Sequence, residues 1–254
     1  MNSNSPHKVA ALIPAYKTSM SRFERISFER CRDVLSAHPR LLVCPESLDI
    51  TEYNEIDPWV EAVKFPDHFF RSLMDYSRLC CLPEFYARFL DYEFILIYQL
   101  DSYVFEDLLS YWCDRDFDYI GPPWPKYEHM TESRKFIAKL PFLKLILRNA
   151  GQGGFSLRKT ATLYRAAHRL ARLSFLTRKF PEDVLWTTFA GRLYRPFKLA
   201  GFEDSLRFGF DANPEICYAL NNRTLPFGCH GWYTSGYNFW KDKIPCERQN
   251  NSQA

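Results

Sequence analysis

No CxxC pair occurs in the chain, although it holds eight cysteines, at 31, 44, 80, 81, 113, 217, 229 and 246. A structural zinc site therefore has no support. Cys44 stands in an apolar strand-like run, and Cys80 and Cys81 in a helix-like one. Free buried thiols of this kind fit a reducing cytoplasm better than a secreted disulfide framework. The N-terminus, MNSNSPHK, lacks the apolar core of a signal peptide. No stretch approaches the roughly 20 apolar residues of a membrane span. Charge of one sign is scarce too: the formal net charge is +3, too little to make nucleic acid a partner. Repeats and low-complexity tracts are absent. The first apolar strand, Val9 to Ile13, runs into Pro14, Ala15, Tyr16 and Lys17 without a glycine fingerprint. That loop is neither a dinucleotide-binding turn nor a P-loop, but a strand followed by a loop can still meet a nucleotide.

What is present is aromatic and alternating. Fifteen Tyr, 22 Phe and six Trp make up 17% of 254 residues. They can build a core or stack on sugars and bases. The length suits one large domain or two small ones. Short apolar runs predict strands over 9–13, 41–44, 94–97, 119–120 and 206–210. Helices are expected over 22–35, over most of 69–90 with a break at Pro83, and over 108–113, 160–173 and 180–190. In the 69–90 region Leu73, Tyr76, Leu79 and Cys80 mark an inward stripe. Strands alternating with helices predict an α/β sandwich.

The stretch EFILIYQLDSYVFE, Glu93 to Glu106, is the centre of this pattern. Its apolar run is short and β-branched enough to be a strand buried on both faces. Ligands of open α/β sheets sit just beyond the carboxyl ends of such strands, where Asp101 falls, flanked by Gln99, Ser102 and Tyr103. A carboxylate there can hold a hard divalent cation. It can equally cap a helix starting near Glu106. Three further clusters carry possible chemistry. In Gly151 to Phe155, adjacent glycines admit close backbone approach and Gln152 offers an amide; a plain turn would look the same. Arg158 and Lys159, just beyond, face either phosphate or solvent. Glu182 and Asp183 open a helix, as dipole-complementing acids or as a general base. In Gly228 to Trp232, His230 is a ligand or a structural histidine, and Trp232 and Tyr233 can stack on a ring. The basic, apolar stretch Arg134 to Arg148 reads as a packed helical pair or as a membrane-surface element.

The order LIYQLDSYVF, FDYIGPPW, GQGGFSLR, PEDVLWT and LPFGCHGW resembles a family of bacterial, uncharacterised-domain proteins similar to GT-A glycosyltransferases. The resemblance runs from about Val9 to Tyr233. It implies one GT-A-like α/β/α domain over 1–240 with a mixed, mostly parallel sheet. The nucleotide-binding half would span about 8–125, the acceptor-binding half about 126–240, and a flexible tail 241–254. It implies transfer of a sugar from a nucleotide-sugar donor to a glycan or lipid-linked acceptor, with inversion. Silent binding of nucleotide or glycan, or hydrolysis of the donor, are the alternatives. Pro14, Ala15 and Tyr16 fall where base and ribose bind, with Gln99, Asp101, Ser102 and Arg158 towards the rest of the donor. Asp101 and His230 would hold Mn²⁺ or Mg²⁺. The second acid of the aspartate-any-aspartate motif is missing, since Gln99 and Tyr103 stand at the two possible positions. Gln152, Gly153, Gly154 and Phe155, with Trp124 and Trp232, fall towards sugar and acceptor. Asp183, beside Glu182, corresponds to the catalytic base. A cytoplasmic location is expected, with weak contact at the inner membrane face through Arg134 to Arg148.

Overall fold

Alternation within the strands decides the layering. The computed structural model describes residues 8–124, 151–172, 180–190 and 197–246. In β1 (Val9–Pro14), Val9, Ala11 and Ile13 face one core, and Ala10 and Leu12 face another. In β4 (Phe94–Tyr98), Phe94, Leu96 and Tyr98 join the first core and Ile95 and Ile97 the second. A sheet buried on both faces needs helices on both faces. Helices α1 (Arg22–Val34) and α2 (Thr51–Ile56) cover one side through Phe28, Cys31, Tyr53 and Ile56. Helices α3 (Leu73–Leu79), α4 (Pro83–Ala87) and a later helix, Thr160–Ala171, cover the other through Leu79, Phe85, Leu163 and Leu170.

With β2 (Arg40–Pro45), β3 (Glu61–Phe65), β6 (Tyr119–Ile120) and β7 (Phe155–Lys159), the sheet order is β3-β2-β1-β4-β7-β6. The pairs β1–β2, β2–β3 and β1–β4 are parallel, while β7 runs antiparallel to β4 and β6. Strand order reverses between β1 and β4, which opens a crevice at their carboxyl ends. The antiparallel β7 starts at that same end, with Phe155 opposite Tyr98, so the glycines before β7 arrive there as well.

A small second sheet closes the crevice from above. It joins β5 (Tyr103–Val104), β9 (Gly228–Cys229) and β8 (Gly209–Phe210) in the order β5-β9-β8. Its own core holds Trp232, Trp240 and Ile244. The Trp232 N–H donates to the Asp101 carbonyl at 3.1 Å, tying the strand-end loop to the C-terminal segment.

At the start of α1, the Ser21 hydroxyl accepts from the Glu24 N–H, and the Glu24 carboxylate accepts from the Ser21 N–H at 2.7 Å. Such a capping box contributes about 1 kcal/mol, less than the roughly 1.5–3 kcal/mol from burying Phe28. Packing holds the helix. The cap sets where it begins, and so where Glu24 stands.

Four expectations are corrected. Residues 206–210 are not one strand: Phe202–Phe208 is helical, with Glu203 and Asp204 in its first turn, and only Gly209–Phe210 is extended. Leu73 is 80% exposed, not part of an inward stripe. Within the proposed flexible tail, Ile244 and Cys246 are buried, and Arg22 donates to the Cys246 carbonyl. Asp101 caps nothing: at the start of the next helix, Leu109–Asp114, the Leu109 N–H donates to Asp107 Oδ1 at 3.2 Å. All eight cysteines are buried and free. The stretch Arg134 to Arg148 lies outside the described residues. Among the described residues no helix is long and apolar enough to cross a membrane.

Candidate active site

The crevice between β1 and β4 holds a cavity of about 520 Å³, within the usual range for small-ligand sites. Pro14, Tyr16 and Lys17 enter from β1, and Gln99, Leu100 and Asp101 from β4. Ser21 and Glu24 come from the start of α1, and Tyr233 and Thr234 from the C-terminal segment. Phe70, Leu73 and Tyr76 make an apolar wall, with Arg71 exposed beside it. Opposite that wall Lys17 pairs with Glu24 at 3.0 Å. Burial disfavours the Glu24 charge, but its bonds to Ser21 and Lys17 prevail and hold the carboxyl below its ordinary value.

His230 reaches the floor of this crevice from the small sheet. Its Nε2 lies 3.1 Å from Asp101 Oδ1 and 3.0 Å from Gln99 Oε1. Its Nδ1 lies 2.9 Å from Asp211 Oδ1. Burial opposes charge on the imidazole, yet Asp101 and Asp211 outweigh it and lift its pKa well above the ordinary histidine value. Burial likewise opposes charge on Asp101, but His230 and the Thr234 hydroxyl hold that carboxyl below its ordinary value. His230 thus stands between Asp101 and Asp211, with the Gln152 amide nitrogen 3.3 Å from Nδ1.

The two glycines stand between this group and the acidic pair. A Cβ on Gly154 would lie 2.1 Å from His230 Nε2 and 2.7 Å from Gln99 Oε1. One on Gly153 would lie 2.2 Å from Glu182 Oε1 and 3.3 Å from Asp183 Cβ. Only glycine fits at either place. The four clusters, scattered along the sequence, meet here. Gly154→Ala is therefore expected to displace His230 or Gln99 and to lower the melting temperature by roughly 2–12 °C, read by thermal unfolding. An unchanged melting temperature would show that the ring tolerates a methyl beside Nε2.

One carboxylate, one imidazole and one amide meet on this floor, and Asp101 and His230 are the residues that would hold a divalent cation there. Asp211 on Nδ1 orients the ring from behind, as carboxylates behind metal-bound histidines do. Among the described residues no group of three or more His, Cys, Asp or Glu is placed to hold a metal, so further ligands would come from substrate or water.

Several expected site residues lie elsewhere. Arg158, expected at the diphosphate, has no exposed surface. Its guanidinium donates to Ser156 Oγ, Tyr86 OH, the Gly153 carbonyl and, at 2.9 Å, Glu182 Oε1. Glu182, expected beside Asp183 in catalysis, is thereby the counter-ion of a buried arginine. Burial lifts its carboxyl above the ordinary value while Arg158 pulls it back. Arginine keeps its proton, and Glu182 is its buried partner at 2.9 Å. Trp124 and Trp232 are 2% and 0% exposed and offer no ring face to a sugar. The Trp232 indole N–H donates to Ser27. Phe155 packs on Tyr98, Phe208 and Phe227. Ser102 is buried against the Gly154 carbonyl, and Ala15 is fully buried. Sequence reading missed Asp211, whose signal is an acid after the short strand Gly209–Phe210. It also missed the Lys17–Glu24 pair and the wall from Phe70 to Tyr76, which carry no local pattern.

A family profile described as Protein of unknown function (DUF5672) matches residues 59–230. The chain belongs to that family. No curated protein matches this DUF5672 chain in sequence. Solved structures do resemble it. The galactosyltransferase LgtC, in complex with donor and acceptor sugar analogues, superposes with a TM-score of 0.56 at 11% identity, over 92% of this chain and 93% of that one. Mouse xyloside xylosyltransferase 1 gives 0.53 at 11% identity, over 87% and 96%. The mannosyltransferase Ktr4p from S. cerevisiae gives 0.53 at 13% identity, over 78% and 69%. These neighbours are GT-A glycosyltransferases, and this DUF5672 chain has their fold, an α/β domain with a mixed, mostly parallel central sheet.

Proposed function

We propose that this DUF5672 chain is a glycosyltransferase that moves a sugar from a nucleotide-sugar donor to a glycan or lipid-linked acceptor. The convergence of Asp101, His230 and Gln99 at the carboxyl end of β4, beside Gly153 and Gly154, carries the reading. Tyr16 and Pro14 line the part of the cavity nearest β1 and suit a base and ribose. Arg71 adds positive charge beside it, while Lys17 is balanced by Glu24. Asp101 and His230 would hold Mn²⁺ or Mg²⁺, which would offset the negative charge that grows on the leaving diphosphate. Asp183 lies on the other side of the glycines and takes the proton of the acceptor hydroxyl. One base with in-line attack inverts the anomeric centre.

Thermal shift against nucleoside diphosphates and nucleotide sugars, with Mn²⁺, with Mg²⁺ and with chelator, tests the donor site. A ligand that binds only the folded state raises its apparent stability. One nucleotide series is expected to stabilise the protein, and Asp101→Ala to remove most of that shift. No shift with any nucleotide would sink the reading. Donor consumption at one rate with and without acceptors would turn it into hydrolysis.

A further inference from the structure

Lys17 and Glu24 line the end of the cavity nearest β1, and they are unequally exposed. The Glu24 side chain is 9% exposed and the Lys17 side chain 52%. Glu24 Oε2 accepts from the Ser21 N–H at 2.7 Å, and its Oε1 from the Lys17 ammonium at 3.0 Å. A carboxylate offers about four lone-pair sites and an ammonium three N–H donors. Neither group is saturated by the bonds of this pair and its cap. Side by side, the two present acceptors and then a donor to whatever fills the cavity. The rest of this end suits a flat ring. Tyr16 is half exposed, and across the cavity Phe70, Leu73 and Tyr76 form an apolar wall on which Leu73 is exposed. A ring held between Tyr16 and that wall would cover the leucine.

We propose that Glu24 and Lys17 read the base of the donor nucleotide, and that the base is guanine. This rests on the glycosyltransferase reading and deepens it. Guanine carries an amino group, the N1–H and the O6 carbonyl in a row along one edge. The Glu24 carboxylate accepts from the amino group and N1–H, and Lys17 donates to O6. Uracil sets its single N–H between two carbonyl oxygens, so a carboxylate across from it meets a lone pair. Adenine and cytosine set their amino group beside a ring nitrogen that accepts, with the same result. A mostly buried carboxylate facing lone pairs is penalised, so the pair rejects the other bases as well as holding guanine. The α1 capping box supplies the rigidity. It fixes Glu24 on the first turn of the helix, with its carboxylate bound to the Ser21 N–H.

Glutamine serves in the same capping box, so Glu24→Gln keeps the cap while it exchanges a carboxylate oxygen for an amide donor. Calorimetry in the presence of Mn²⁺, with GDP, IDP, UDP, CDP and ADP as probes, makes the test. IDP is GDP without the amino group. GDP is expected to bind at least about tenfold more tightly than UDP, CDP or ADP, and about tenfold more tightly than IDP. Glu24→Gln is expected to weaken GDP about tenfold or more and to shrink the gap between GDP and IDP. Thermal unfolding without nucleotide checks that the variant folds, and the GDP–IDP comparison on the native chain decides the matter without it. UDP, CDP or ADP bound most tightly, GDP and IDP bound equally, or GDP affinity unmoved in folded Glu24→Gln overturns the base assignment and leaves the donor site standing. Absence of binding by all five nucleotides overturns the donor site with it.

Discussion

Asp183→Asn is expected to slow sugar transfer by about 10²–10⁴-fold, the usual contribution of a positioned general base. Asp183 is 7% exposed and begins the helical turn Glu182–Val184. Its Oδ1 accepts from the Val184 N–H at 2.7 Å, which fixes the side chain. Asparagine keeps the shape and that bond but cannot take a proton. Nucleotide binding should stay the same, because the donor cavity lies across the glycines from this residue. Steady-state transfer and nucleotide calorimetry on one preparation provide the check. A variant with full turnover removes Asp183 from the mechanism. Its neighbour is a poor substitute, since Glu182 Oε1 is committed to Arg158.

Arg158→Ala is expected to damage stability rather than donor affinity. It would leave the Glu182 charge buried and unpaired, at a cost of about 3–5 kcal/mol. At about 2–4 °C per kcal/mol for a chain of this size, the melting temperature should fall by roughly 6–20 °C. Removing both charges with Arg158→Leu and Glu182→Leu should recover much of the loss, because a well-packed apolar pair can replace a buried ion pair at little cost. Thermal unfolding of the single and double variants measures this. A stable single variant with weakened nucleotide binding would return Arg158 to the diphosphate.

The layers were legible because they rest on patterns shorter than ten residues. The strands β1, β2, β4 and β6 lie where apolar runs place them, and Asp101 follows β4 as the run predicts. The reach of each side chain was not legible. Arg158 in GGFSLRK looks like a loop cation, yet it is an interior residue of β7, directed at Tyr86 and Glu182. A strand buried on both faces hides a charge as readily as a leucine once a counter-ion waits there. Trp232 looks like a stacking platform, but the small sheet buries it beside Phe23 and Tyr103. The run LRFGF alternates like a strand, but most of it closes a helix that starts after Gly201. Asp211 was invisible because its partner, His230, stands at the end of another strand. Pairing across strands leaves no local trace.

The strand order has a consequence for the time course of assembly. Strands β1, β2 and β3 are consecutive in sequence and adjacent in space, so they can pair early as the chain emerges. The free edge of β1 must then wait for β4, with Val9 opposite Phe94. The small sheet waits longer still, since Tyr103 pairs with Cys229. Lys17 and Glu24 are synthesised first, Asp101 later, and His230 near the end. Long-range pairings of this kind form slowly. The cavity floor brings Asp101 and His230 together, so it can be completed only once the C-terminal segment has been made and has folded against β4.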